Sequence, residues 1–162
     1  MCESLAVELT GPARYFGNEK FLENVLGLLY TTGFRLTGDH REAAGLVEGA
    51  ISAIGTEDGL YPALKELSRQ YIEGAATARD RMVSADGQHQ GLSGREQLVQ
   101  EALLHLPAGE RLVVVLRDVL GLSYAEISEA AGMNEPAVAR TLAVGRRRLA
   151  ERLIPKIKQG GF

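Results

Sequence analysis

The sequence predicts an all-α protein made of two small helical domains joined by a flexible linker. Apolar residues recur at helical spacing from Lys20 onward, and no segment has a convincing strand pattern. Hydrophobic residues make up 45% of the 162 residues and charged residues 24%, which is the balance of a folded chain rather than a disordered one. A polar stretch rich in Gly, Ser and Gln, residues 84–94, separates the two helical regions and predicts the linker.

The chain therefore divides into an N-terminal segment without a clear pattern (1–17), a helical domain (18–83), the linker (84–94) and a second helical domain (95–162). In the first domain, Thr37 and Gly38 predict a turn, and Asp39 is predicted to cap the helix that follows. Residues 112–116 are rich in β-branched side chains. Because helical pattern flanks them on both sides, they are predicted to form a buried helix segment.

A helix-turn-helix pattern occupies residues 116–142, which read LRDVLGLSYAEISEAAGMNEPAVARTL. Ser123 is predicted to cap a short helix, Gly132 to end it, and Asn134 to cap a second helix. Two helices joined by a tight glycine turn can present the second helix to the major groove of DNA. The pattern therefore indicates DNA binding.

Charge separates this interpretation from an ordinary helical hairpin, which has the same periodicity. From Arg140 to Lys158 there are seven basic residues and a single acid, Glu151, which is the local excess expected where phosphates are neutralised. The whole chain carries a net charge of -3. Residues 1–91 hold 8 basic and 13 acidic residues, so a protein partner suits that half better than nucleic acid does.

Other classes of protein are disfavoured by what the sequence lacks. Its single cysteine, Cys2, cannot build a disulfide framework or a thiolate cluster within one chain. No nucleophile, paired carboxylate site or Gly-rich phosphate loop stands out, so we expect neither an enzyme nor a bound metal or cofactor. Because there is no apolar run of about 18 residues and no secretion signal, we expect a soluble, cytoplasmic protein.

The order of these elements resembles a known family. The segments that carry the resemblance are FRLTGD at 34–39, LVE at 46–48, ALLHLPAGER at 102–111, LRDVLGLSYAEI at 116–127 and RRRL at 146–149. Together they resemble a bacterial RNA polymerase sigma factor of the extracytoplasmic-function type. Such a factor joins region 2, which docks on the polymerase and melts the promoter, to region 4, a helix-turn-helix domain for the upstream promoter element. The resemblance implies core RNA polymerase, promoter DNA and an anti-sigma factor as partners, and no cofactor.

In region 4 the resemblance implies a DNA-binding set. Arg140 and Thr141 would face base edges from the recognition helix, whereas Ala139 and Val144 occupy positions that are usually polar or basic in the family. The remaining residues of the set would contact the phosphate backbone from the starts of the two helices and from the basic run; they are Ser123, Tyr124, Asn134, Arg146, Arg147 and Arg148.

In region 2 the resemblance implies two further sets. Leu46, Val47 and Glu48 would bind the polymerase, but Gly45 and Gly49 stand where the family has acids. The promoter-melting set is sparse in aromatic residues, and the chain has no tryptophan for base stacking. That set consists of Arg69, Gln70, Tyr71, Arg79 and Arg81.

Two functions follow from this pattern. In the first, the protein is a sigma factor that binds core polymerase and promoter DNA to direct transcription initiation. In the second, it is a sigma-like regulatory protein that binds an anti-sigma factor or another protein partner and has lost promoter recognition. The two glycines, the acidic N-terminal half and the sparse recognition helix motivate the second hypothesis.

Overall fold

The structure, a computed structural model, describes residues 19–53, 60–77 and 92–160. Seven α-helices, one of which continues into a π-helical turn, build this part of the chain, which contains no strand. The helices are α1 (Glu19–Thr37), α2 (His40–Ile51), α3 (Tyr61–Thr77), α4 (Gly94–Leu104), α5 (Ala108–Val114), α6 (Tyr124–Ala131) and α7 (Glu135–Gly160). The all-α prediction is confirmed.

Helices α1, α2 and α3 pack on one another and form the N-terminal half of the molecule, residues 19–77. Helix α1 ends where Gly38 adopts a φ of 71°, a left-handed conformation that favours glycine. The Asp39 carboxylate then accepts hydrogen bonds from the backbone N–H groups of Arg41 and Glu42, both at 2.8 Å. The predicted turn and the predicted cap are therefore both present.

Helices α4 to α7 form the C-terminal half, residues 92–160. Helix α4 begins with a capping box: Ser93 accepts a hydrogen bond from the backbone N–H of Glu96, whose carboxylate accepts one from the N–H of Ser93. Of the predicted linker 84–94, residues 84–91 lie outside the described part, as does the N-terminal segment 1–17. The described end of that linker is already the cap and first residue of α4.

Residues 112–116 are buried and helical, as predicted. The helix does not stay regular, however. It passes without a break into a π-helical turn, Val115–Val119, in which the N–H of Leu120 donates to the carbonyl oxygen of Val115 at 3.2 Å. Such turns are frequent at functional sites. This one lies directly before the helix-turn-helix and bears Arg117 and Asp118, one half-buried and the other exposed.

The two halves share one hydrophobic core. Helix α3 packs against α5 and α6, and α1 packs against α4 and α5. Leu29 and Leu67 of the N-terminal half belong to the same continuous cluster of buried side chains as Leu116, Ile127 and Leu142 of the C-terminal half. The described structure is therefore a closed arrangement of the halves.

Candidate nucleic-acid interface

The first helix of the helix-turn-helix, α6, is fixed by the residue that precedes it. The Ser123 hydroxyl oxygen accepts a hydrogen bond from the N–H of Glu126 at 3.2 Å, and the Glu126 carboxylate accepts one from the N–H of Ser123 at 2.7 Å. Burial opposes ionisation of Glu126, but the nearby Tyr61 hydroxyl and the hydrogen bonds with Ser123 lower its pKa. Ser123 thus has the capping role that the sequence predicts, and its hydroxyl hydrogen is left to donate to a phosphate.

A short turn then connects α6 to α7. Gly132 ends α6 in the left-handed conformation, with a φ of 66°. Asn134 starts the next helix, because its side-chain oxygen accepts a hydrogen bond from the N–H of Ala137 at 2.8 Å. Ser128 closes the turn by donating to the carbonyl oxygen of Met133 at 2.6 Å. The predicted capping residues Ser123 and Asn134 and the predicted helix-ending Gly132 therefore all have the roles that the sequence predicts.

Helix α7 packs through one face and leaves the other open. Val138, Leu142 and Gly145 are buried against α5 and α6. Arg140 is exposed and Thr141 is half-buried, so the two predicted base-reading residues lie on the accessible side. Arg140 forms no ion pair with any residue in the described ranges. Its guanidinium is available to a ligand.

The basic run that follows Arg140 is largely engaged by carboxylates. Arg146 forms an ion pair with Asp118 of the π-turn, and Asp118 raises the pKa of Arg146. Arg148 donates to Glu110 of α5, and Lys156 pairs with Glu101 of α4 at 3.2 Å. Sequence spacing gave no signal of these pairs, because the partners lie 28, 38 and 55 residues apart.

Arg147 is the most open member of the triple arginine. Its side chain is 68% exposed, and its one ion pair is a long contact of 3.9 Å with Glu151 on the next turn of α7. Exposed pairs of this kind contribute little and are readily exchanged for another anion. Among the three arginines, Arg147 therefore has the geometry of a phosphate contact.

Tyr124 lies at the first position of α6 and is 38% exposed. The Arg117 guanidinium carbon lies 5.5 Å from the centre of its ring, and Arg117 also donates to the carbonyl oxygen of Leu122 at 2.7 Å. This contact holds the ring at the edge of the motif. The sequence alone gives Arg117 and Asp118 no role, because the π-turn that brings them beside Tyr124 and Arg146 has no sequence signature.

The predicted polymerase-binding residues lie on α2 with unequal exposure. Glu48 is exposed, Leu46 is half-buried, and Val47 is 8% exposed and belongs to the core. The two neighbouring glycines also differ. A Cβ atom on Gly45 would meet nothing within 4 Å, whereas one on Gly49 would collide with the side-chain amide of Gln70. Gly45 is therefore an open surface position, whereas a side chain at Gly49 requires the flexible end of Gln70 to move.

The predicted promoter-melting residues on α3 are mostly engaged. Arg69 donates to Glu66 at 2.9 Å and to Glu73 at 2.6 Å, and Gln70 also donates to Glu66. Tyr71 is 7% exposed, so its ring is not available for base stacking in the closed arrangement. The last two members of the set, Arg79 and Arg81, lie outside the described residues.

Two further properties concern the described residues only. No group of three or more His, Cys, Asp or Glu side chains there is placed to hold a metal ion. None of the helices in the same ranges has the length and apolar character needed to cross a membrane.

Comparison with known proteins finds one family model and similar solved structures. Residues 96–149 match the family model for sigma-70, region 4. No curated protein matches the chain. Among solved structures, the chain is similar to the sigma factor RpoE of Bartonella quintana, determined in complex with the anti-sigma factor NepR. The TM-score is 0.67 at 19% sequence identity, and the match covers 83% of this chain and 95% of that one. The predicted region 4 is therefore supported by a family model over residues 96–149, and the fold is similar to that of a sigma factor.

Proposed function

We propose that this chain, which contains a sigma-70 region 4 domain within the fold of a sigma factor, is an extracytoplasmic-function sigma factor. It binds core RNA polymerase and promoter DNA and directs transcription initiation. It acts in the cytoplasm, where the polymerase is, and it carries out no catalysis of its own. The domain boundaries follow the sequence: region 2 over 18–83, a linker over 84–94 and region 4 over 95–162.

The observation that carries this proposal is the open face of α7. Ser123, Gly132 and Asn134 form the caps and the turn of the helix-turn-helix. Arg140 is exposed on the outer side of the second helix and forms no ion pair in the described structure. An unpaired guanidinium on the second helix of such a motif is the donor that reads guanine in a major groove. An ordinary core hairpin has no need of it.

Contacts within this interface divide by chemistry. Arg140 and Thr141 supply base readout, because they lie on the accessible side of α7. Ser123, Tyr124 and Asn134 supply phosphate contacts at the helix starts, where the partial positive charge favours anions. The basic run adds electrostatic attraction, chiefly through Arg147, while Arg146 and Arg148 must first leave their carboxylate partners.

The polymerase contact is proposed for the outer face of α2. Glu48 is exposed and presents a carboxylate to basic polymerase residues, and the half-buried Leu46 adds apolar contact. Val47 supports these two from the core rather than touching the polymerase in the closed arrangement. A single carboxylate gives a weak electrostatic contact, because one hydrogen bond to a charged group contributes only about 1.5–3 kcal/mol.

A titration with purified core polymerase tests the proposal. The full chain, labelled at Cys2, is expected to bind saturably, and Glu48→Lys is expected to weaken binding at least tenfold, because it places like charges opposite one another. Glu23→Lys is the matched control, since it makes the same charge change at an exposed position of α1 with no proposed role. If the folded chain does not bind core polymerase, the proposal is wrong. If Glu48→Lys and Glu23→Lys lose the same affinity, Glu48 does not contact the polymerase.

A second candidate function is a sigma-like regulator that binds an anti-sigma factor. Two observations on α3 favour it: Tyr71 is buried, and Arg69 is held by Glu66 and Glu73 instead of being free for DNA. This function predicts tight binding to a small helical partner and no promoter selection. Core-dependent transcription from a promoter that requires this chain excludes it.

A further inference from the structure

Arg146 differs from the other two members of the triple arginine in how it meets its carboxylate partner. Its Nε atom donates to one oxygen of Asp118 at 3.1 Å, and a terminal nitrogen donates to the other oxygen. The hydrogen bond of Arg148 uses one carboxylate oxygen, and the ion pair of Arg147 is a contact of 3.9 Å. Two parallel hydrogen bonds from one guanidinium edge are also the geometry in which arginine binds phosphate. Asp118 therefore occupies the place that a backbone phosphate would take on Arg146.

The pair between Asp118 and Arg146 is open to solvent, so another anion can reach it. The side chain of Arg146 is 49% exposed and that of Asp118 is 38% exposed, whereas the carboxylate that holds Arg148 is only 15% exposed. An exposed ion pair changes an equilibrium constant by about fivefold at most, because water and salt compete with it. The Arg146 guanidinium can therefore be transferred from Asp118 to a phosphate with little loss.

The π-helical turn brings this pair to the edge of the helix-turn-helix. Asp118 lies in the turn Val115–Val119, and Arg146 reaches it from α7. Asp118 first, and then Tyr124, raise the pKa of Arg146, so the Tyr124 side chain lies close to the pair. Tyr124 is the first residue of α6, and the start of a helix favours anions. A phosphate at this helix start is therefore within the neighbourhood of Arg146.

The cation next to Asp118 in the sequence does not neutralise it. Arg117 donates to the carbonyl oxygen of Leu122 at 2.7 Å and lies over the ring of Tyr124. Within the described ranges, Asp118 forms no ion pair except that with Arg146. When Arg146 turns to DNA, Asp118 is left as an uncompensated negative charge near the phosphates, and like charges repel. Transfer of Arg146 to DNA thus loses one ion pair and adds one repulsion.

We propose that Asp118 competes with a DNA backbone phosphate for the guanidinium of Arg146 and thereby limits the affinity of region 4 for DNA of any sequence. This inference rests on the proposed sigma-factor function and assigns a regulating residue to the same interface. Base readout by Arg140 is not affected, because the competition concerns the backbone alone. Binding to DNA is accordingly weaker than the number of basic residues on α7 indicates.

Binding of the full chain to a fluorescent duplex of arbitrary sequence, over a salt series, tests the competition. We expect Asp118→Asn to bind about fivefold more tightly at low salt, since the pair no longer has to be broken. The salt slope should steepen by about 1, because one more phosphate contact forms. Glu151→Gln is the matched control, since it removes the same charge from an exposed residue of α7 whose contact with Arg147 is long. Its effect should be smaller than about twofold.

A double-mutant cycle separates competition from a general effect of charge. In an Arg146→Ala background there is no guanidinium to compete for, and Asp118→Asn relieves only the repulsion. Its gain should therefore fall to about twofold or less. An equal gain in both backgrounds overturns the proposal, because Asp118 then acts only as a nearby negative charge. Weaker DNA binding by Asp118→Asn also overturns it, since the carboxylate would then position Arg146 for DNA.

A second measurement follows the guanidinium of Arg146 directly. Its Nε–H group, which donates to Asp118, gives a nitrogen-15 resonance that is assigned by its loss in Arg146→Lys. This resonance should shift when duplex is added, because the acceptor changes from carboxylate to phosphate. A resonance that stays in place while duplex binds contradicts the transfer.

The outcome of these assays is separate from that of the proposed sigma-factor function. Polymerase is present in neither assay, so a failure to bind polymerase is shown only by the titration with core enzyme. If neither the unmodified chain nor Asp118→Asn binds duplex at low salt, the competition is wrong, because a freed Arg146 then makes no DNA contact.

Discussion

Arg148 of α7 donates a hydrogen bond of 2.6 Å to Oε1 of Glu110, 38 residues away at the start of α5. Glu110 is only 15% exposed, and its other oxygen is buried without a hydrogen-bond partner in the described structure. The last arginine of the triple run thus ties the recognition helix to the helix beneath it. Its neighbour Arg147 points into solvent.

Because Arg148 is paired with Glu110 and Arg147 is exposed, we expect their substitution to affect different properties: DNA affinity for Arg147 and stability for Arg148. Arg147→Ala should weaken binding to all DNA sequences alike and reduce the salt slope of binding by about 1, because one phosphate contact is lost. Arg148→Ala should instead lower the free energy of unfolding by about 1 kcal/mol, because Glu110 is left unpaired. Filter binding over a salt series and thermal unfolding measure the two effects. A larger salt-slope change for Arg148→Ala than for Arg147→Ala would contradict the assignment.

Gly145 allows α7 to approach α5 closely. A Cβ atom there would lie 2.8 Å from Cγ2 of Val114, a buried β-branched side chain with little rotamer freedom. In Gly145→Ala, overpacking costs about 1–3 kcal/mol and outweighs the gain of about 1 kcal/mol in helix propensity. We expect net destabilisation in urea unfolding. Gly27→Ala, where a Cβ atom meets nothing within 4 Å, should be stabilising. If both substitutions change the free energy of unfolding in the same direction, this packing argument is wrong.

Gly45 offers a gain-of-function test of the polymerase contact. The position is exposed on α2 and has open space around it, so Gly45→Glu adds a carboxylate beside Glu48 without a clash. We expect tighter binding to core polymerase, by up to about 1.5–3 kcal/mol for a well-made contact. Gly45→Gln is the control, because it has a similar helix propensity and no charge. Equal affinities for the two variants would exclude a charge contact at this position.

Lowering the pH should destabilise α3 by protonating Glu66, the partner of Arg69. Hydrogen bonds from Arg69 and then Gln70 lower the pKa of Glu66 to about 2 from its usual 4.5. A carboxyl group whose pKa is depressed in the folded state adds stability above pH 4.5 and loses it as the pH falls toward 2. The difference in unfolding free energy between the unmodified chain and Glu66→Gln should shrink over this range. Since the pair is exposed, the difference is small, and a difference that grows on acidification would be the contrary result.

Local features of the fold were predictable from the sequence where one residue type determines one conformation. Asp39, Ser123 and Asn134 cap helices because their side-chain oxygens satisfy free N–H groups within three residues. Gly132 turns the chain because its left-handed φ suits glycine. Each of these signals is complete within a few positions of the chain.

Features that depend on distant residues were not predictable. The ion pairs of Arg146 and Arg148 join residues 28 and 38 positions apart, so the basic run overstated the charge that is free for DNA. The family resemblance places Tyr71 in the promoter-melting set, whereas in the folded chain its side chain is 7% exposed and lies near Arg111 of α5. Spacing within a helix carries no information about such packing between the halves.

The most direct test of the central claim is core-dependent transcription from a pool of random promoter sequences, with sequencing of the templates that are transcribed. With the unmodified chain we expect enrichment of a defined upstream element. With Arg140→Ala we expect discrimination at one base position of that element to fall by about 1–3 kcal/mol, while Arg152→Ala, which removes another exposed arginine of α7, leaves it intact. Transcription with no enriched element, or no transcription from a folded chain, would contradict the account.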